Sequence, residues 1–149
     1  MGGWRLALAT LAALAVSSAA GAFCWDEAGA EYGISPELLK AVSAVESYHN
    51  QPAVNWNRNG SYDACHMQIN THWYFLLKKR YGKEYADQAW SALADPCYCT
   101  KFGAFVLADC VARLGNTWRA VGCYNAVSEH KAFLYSRKVY AQWRSGHKR

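Results

Sequence analysis

Residues 35–70 read SPELLKAVSAVESYHNQPAVNWNRNGSYDACHMQIN, a helical segment running into a polar one. Ser35 offers a capping hydroxyl, Pro36 suits the first helical position, and Glu37 puts negative charge near the positive helix end. Leu38, Leu39, Val42 and Val45 form an apolar stripe at helical spacing, and Glu46 follows it near the helix end. Residues 50–63 break the helix. They are rich in Asn and contain Asn59-Gly60, a tight-turn pair, so a small β-hairpin or an ordered loop belongs here.

Outward from this core the pattern is mostly helical. WDEAGAEYG, from Trp25, predicts a short first helix ending at Gly33. Helical spacing resumes at His72 to Tyr81, at Glu84 to Leu93, and from Pro96 to about Leu114. Gly115-Asn116 ends that helix, and Thr117 can cap the next. A last helix covers about Lys131 to Trp143. No repeat, low-complexity tract or linker interrupts the chain. The expectation is one mainly α domain with a small β-hairpin, an α+β arrangement.

The first 22 residues, MGGWRLALATLAALAVSSAAGA, carry one early Arg5, an apolar run from Leu6 to Val16, and a small-residue end. This reads as a secretory signal peptide cleaved after Ala22, too short for a stable span. A lipid anchor would need a small residue before Cys24, and Phe23 stands there. No later stretch is apolar enough to span a bilayer. The expected domain is residues 23–149, or 149 − 22 = 127 residues, enough for a real core. Without Arg5 the balance is 15 basic against 11 acidic residues. That net positive charge mildly favours anionic partners such as cell wall. The charges are spread, with no basic run except the terminal HKR, which argues against nucleic-acid binding.

All six cysteines (Cys24, Cys65, Cys97, Cys99, Cys110 and Cys123) lie in the exported part. An even count in an oxidising compartment predicts disulfides. Zinc is disfavoured: Cys97-x-Cys99 is a poor ligand spacing, and neither Cys-x-x-Cys nor a paired histidine motif occurs. No metal or cofactor is expected. Cys65 and His66 suggest a nucleophile and its base. Adjacent residues on an extended segment point to opposite faces, however, and an exported cysteine is oxidised. His49, His66 and His72 are expected as surface or hydrogen-bonded residues rather than bases. A carboxyl at the end of a buried helix, such as Glu46, has a raised pKa and can serve as a general acid, as glycoside cleavage requires.

AVSAVES, NWNRNGSYD, HMQINTHW, LADPC and VGCYNA resemble, in that order, motifs of the lysozyme-fold lytic transglycosylases. They are most similar to the small secreted members that accompany type III and type IV secretion systems and type IV pili. The resemblance covers about residues 24–143. It implies a lysozyme-like fold and a periplasmic enzyme that cuts the β-1,4 bond between N-acetylmuramic acid and N-acetylglucosamine in peptidoglycan glycan strands, leaving a 1,6-anhydro sugar. A secretion or pilus component is an implied partner. Glu46 matches the family's catalytic glutamate. Ser47, Met67, Gln68, Tyr124 and Asn125 match its substrate-binding motifs, with the Tyr124 hydroxyl expected near Glu46. Ile69 reads as core. Trp56 and Trp73 are candidates for stacking on sugar rings or for core packing. Asp63 is a possible second carboxylate, because 63 − 46 = 17 equals the spacing of the paired carboxylates in lysozyme. An aspartate closing a turn is the plainer alternative.

The chain also departs from the family. Cys65 stands where relatives usually have glycine, Cys99 where many have asparagine, Cys123 where a small residue is usual, and Val127 where glycine is frequent. If the replaced glycine needs a positive φ, Cys65 is strained. The resemblance implies a Cys24–Cys97 bridge. Cys99 and Cys110 lie 11 residues apart on one predicted helix, about 16 Å, too far to bridge if the helix is continuous. Cys65 with Cys99, and Cys110 with Cys123, are the remaining pairs considered. Besides a lytic transglycosylase, a hydrolytic lysozyme and a non-catalytic wall-binding assembly protein stay open.

Overall fold

The computed structural model describes residues 23–147. The signal-peptide reading therefore lies outside the described residues. In chain order the elements are α1 (Trp25–Tyr32), α2 (Pro36–Ser47), β1 (Val54–Trp56), β2 (Tyr62–Ala64), β3 (Ile69–Asn70), α3 (Thr71–Tyr81), α4 (Lys83–Ala92), α5 (Pro96–Leu114), α6 (Trp118–Cys123) and α7 (Glu129–Gly146). No described helix is long and apolar enough to cross a membrane.

Helix ends follow local chemistry. Ser35 Oγ accepts from Leu38 N, Asn70 Oδ1 from His72 N, Asp95 Oδ1 from Tyr98 N and Thr117 Oγ1 from Ala120 N, so four helices begin on a side-chain cap. Pro36 and Pro96 occupy first-turn positions, where no N–H is missed. α2 stops because Tyr48 and His49 adopt left-handed φ values of 54° and 61°.

α5 is the central strut. Cys99, Thr100, Phe102, Gly103, Ala104, Val106, Leu107 and Cys110 are buried along it. α1, α2, α6 and β3 pack around it, while α7 closes the molecule against α2 and α6. Leu39 and Val42 of α2, Leu107 of α5 and Val139 of α7 are fully buried in one core. Each such side chain contributes roughly 1.5–3 kcal/mol of apolar burial. Gly103 lets the 65–68 turn approach α5, because a Cβ there would collide with the Met67 side chain.

The sheet has three antiparallel strands rather than one hairpin, in the order β1-β2-β3. Asn55 pairs with Asp63 and Trp56 with Tyr62 across β1–β2, and Asp63 pairs with Asn70 across β2–β3. The third strand is only two residues long, below what period-two alternation can reveal. Disulfides join Cys24 to Cys97, Cys65 to Cys99 and Cys110 to Cys123. These tie α1 to the start of α5, the 65–68 turn to α5, and α5 to α6.

Candidate active site

Glu46 is delivered by the last turn of α2, one residue before the helix ends. It lines a cleft of about 240 Å³ together with Asn57, Asp63, Gln68, Asn70, Trp73, Val106, Tyr124 and Asn125. Tyr135 of α7 donates its hydroxyl to Glu46 Oε1 at 2.5 Å. Burial raises the Glu46 pKa to about 7; the Tyr135 hydrogen bond pulls it down and the negative charge of Asp63 pushes it up. Glu46 therefore exchanges its proton near neutral pH.

Asp63 reaches the cleft from the middle of β2. Its two oxygens are each held by an amide: Asn57 Nδ2 donates to Oδ2 at 3.0 Å and Asn70 Nδ2 to Oδ1 at 2.7 Å. Both donors are sequence neighbours brought round by the strands, so the sheet clamps the carboxylate in place. Alternation along β1 sets the two faces. Asn55 bonds Gln68 and the following Asn57 lines the cleft, whereas Trp56 sits on Tyr62 at 4.8 Å between ring centroids on the other face. Of the two tryptophans considered for sugar stacking, Trp73 lines the cleft and Trp56 does not.

The motif residues divide by environment. Gln68 and Asn125 line the cleft. Gln68 is already engaged, accepting from Asn55 Nδ2 at 2.6 Å and donating to Cys65 O at 2.9 Å. Ser47 Oγ donates to His66 O at 2.8 Å and accepts from Asn50 N at 3.0 Å, which bolts the end of α2 to the 65–68 turn. Met67 is fully buried in the core, so its side chain backs the cleft wall and does not face a ligand. Its carbonyl accepts the Tyr124 hydroxyl at 2.7 Å. The hydroxyl that bonds Glu46 is that of Tyr135, with the two phenol rings stacked 6.4 Å apart. Tyr124 still lines the cleft, and burial, then the nearby Glu46 charge, holds its pKa well above the usual phenol value. Tyr135 carried no sequence signal beyond sharing the buried stripe of α7 with Val139.

His66 is a structural residue. It is fully buried, and its Nε2 lies 3.2 Å from Pro96 O, which can only accept. Nε2 therefore carries the proton, and Nδ1 accepts from Ser43 Oγ at 2.8 Å. Ser43 in turn accepts from His49 Nδ1 at 2.9 Å. Burial lowers the His66 pKa to about 4, so the ring stays neutral. With Cys65 in a disulfide, no Cys65–His66 nucleophile exists. Cys65 does adopt the positive φ expected of a replaced glycine, at 60°. The single cluster of metal-ligating residue types among the described residues is Cys24, Glu27 and Cys97, and its two cysteines are bonded to each other.

The transglycosylase SLT domain model matches residues 23–141. Protein IpgF of Shigella flexneri is 36% identical over 124 residues, covering 80% of this chain and 78% of its own length. Invasion protein IagB of Salmonella typhimurium strain SL1344 is 35% identical over 125 residues, 81% of this chain and 75% of its own. A peptidoglycan-binding-like protein of Escherichia coli O157:H7 is 35% identical over 133 residues, 83% and 77%. With its helical body, three-stranded sheet and glutamate-bearing cleft, this chain belongs to the SLT-type lytic transglycosylase family and has its lysozyme-like fold.

Proposed function

We propose that the protein is a peptidoglycan lytic transglycosylase in which Glu46 acts first as acid and then as base. The observation that carries this reading is the state of Glu46: partly buried in a cleft, tuned to about pH 7, and hydrogen-bonded by Tyr135. A carboxyl so poised can protonate the glycosidic oxygen and then, as carboxylate, accept a proton from the muramic C6 hydroxyl as that oxygen attacks C1. In this reading Gln68, Asn125 and Trp73, which line the cleft, contact the glycan, and the Asn55 and Cys65 hydrogen bonds hold Gln68 still. Ser47 and Tyr124 position the cleft wall. The family assignment supports an exported protein working on the wall in the periplasm, and the relative named an invasion protein supports local wall opening for a secretion apparatus or pilus.

Asp63 favours a second reading, hydrolysis in the manner of lysozyme. Held by Asn57 and Asn70 in the same cleft, it can stabilise positive charge developing at C1. Mass spectrometry of sacculi digested by the wild type and by Glu46→Gln tests both readings. Anhydro-muropeptides support the transglycosylase, reducing ends support the hydrolase, and undiminished release by Glu46→Gln sinks both. The expected loss on Glu46→Gln is about 100-fold or more.

A further inference from the structure

A larger cavity than the cleft lies elsewhere. A groove of about 770 Å³ runs between the end of α5, α6 and α7. The 123–127 segment separates it from the cleft, turning Tyr124 and Asn125 to one side and Ala126 and Val127 to the other. Trp118, Phe133 and Tyr140 line the groove while remaining 38%, 58% and 40% exposed, and Val127 on its rim is wholly exposed. Apolar side chains concentrated in one open groove mark an interaction surface. Nothing in the cleft chemistry uses them.

The rim is basic. Arg113, Arg119 and Arg137 line the groove, against Glu129 as its one acid. Arg113 pairs with Asp109 and Arg119 with Glu129, but both pairs are solvent-exposed and exchange easily. Arg137 meets no carboxylate among the described residues and lies over the Phe133 ring at 5.9 Å. On α7 the groove face runs from Glu129 to Tyr140, which is 11 residues or about 16 Å, three helical turns.

We propose that this groove docks one acidic amphipathic helix of a partner protein. Its apolar anchors, at the i, i+4 and i+7 positions, would seat on Trp118 and Phe133, and its flanking carboxylates on Arg113, Arg119 and Arg137. Charge selects this occupant. A second copy of this chain would press two arginine rims together. The first 22 residues contain one arginine and no acid, so they offer the rim nothing. A wall stem peptide lacks the large apolar side chains that an aromatic floor requires.

Selection of a displayed random-peptide library on the purified protein tests the proposal. Enriched sequences should carry apolar residues at helical spacing with Asp or Glu beside them. As synthetic peptides they should lose about ten-fold or more in affinity against Phe133→Asp or Arg137→Glu. Val127→Asp, at a wholly exposed site where folding is not at stake, should weaken binding too, and Phe75→Asp on α3 should not. Enrichment of basic or non-periodic peptides, no enrichment, or binding indifferent to all three groove variants would overturn it. So would preferential binding of phosphatidylglycerol vesicles over the peptides, or a dimer that Phe133→Asp dissolves.

Discussion

Glu46 sits between two neighbours that pull its proton affinity in opposite directions. Tyr135 donates to the carboxylate and lowers the pKa, while the charge on Asp63 raises it. Tyr135→Phe should therefore move the alkaline limb of kcat/KM to higher pH, and Asp63→Asn should move it lower. Shifts of the same sign, or none, would remove these two residues from the control of Glu46. The carboxyl itself was readable from the sequence, because an acid directly after an apolar stripe must sit at the edge of a core. Its hydroxyl partner was not. Tyr135 lies 89 residues downstream in FLYSRK, where a tyrosine on a helical stripe looks like ordinary packing. The same limit hid the orientation of Met67. Its motif position suggested the groove, but the turn set by positive φ at Cys65 and Gln68 carries its side chain into the core.

At the scale of elements, the 65–68 turn is held by the Cys65–Cys99 disulfide at a backbone angle suited to glycine. The cross-link closes a separation of 34 residues and contributes about 4 kcal/mol by chain entropy. Part of that is returned as left-handed strain at Cys65, on the order of 1 kcal/mol. In a Cys99→Ala background, Cys65→Gly should thus be more stable than Cys65→Ala by about 1 kcal/mol, read from urea midpoints. Equal midpoints would mean that the turn carries no strain. Helix starts were legible at this scale where Ser35-Pro36 and Thr117 cap by local chemistry, and the structure adds Asp95 as the cap before Pro96. The third strand was not, since Ile69 and Asn70 become β only by pairing with β2. Strand alternation also decides Trp56, which sequence alone could not assign to one face of the sheet.

Across the whole molecule two buried groups oppose each other over one pH window. Glu46 has a folded pKa raised to about 7 from an ordinary value of 4.5, so its contribution is full below 4.5 and is lost as pH rises through 7. His66 is depressed from 6.5 to about 4, so its contribution is full above 6.5 and is lost as pH falls through 4. Each shift corresponds to roughly 3 kcal/mol at full strength, and the slopes oppose each other, with His49, also lowered by burial, on the side of His66. Thermal denaturation of the wild type should give a Tm that changes less between pH 4.5 and 6.5 than that of Glu46→Gln. Glu46→Gln, with the His66 slope unmasked, should gain Tm steadily with pH over the same interval. Parallel profiles for the two proteins would rule out the compensation. The mainly helical architecture was legible from periodicity, whereas this balance depends on which polar groups the fold encloses. Glu46 completes its surroundings only where α7 packs on α2 and brings Tyr135 to its carboxylate. Docking of the last helix therefore sets the proton affinity of a carboxyl on the second, with no movement of the helix that bears it.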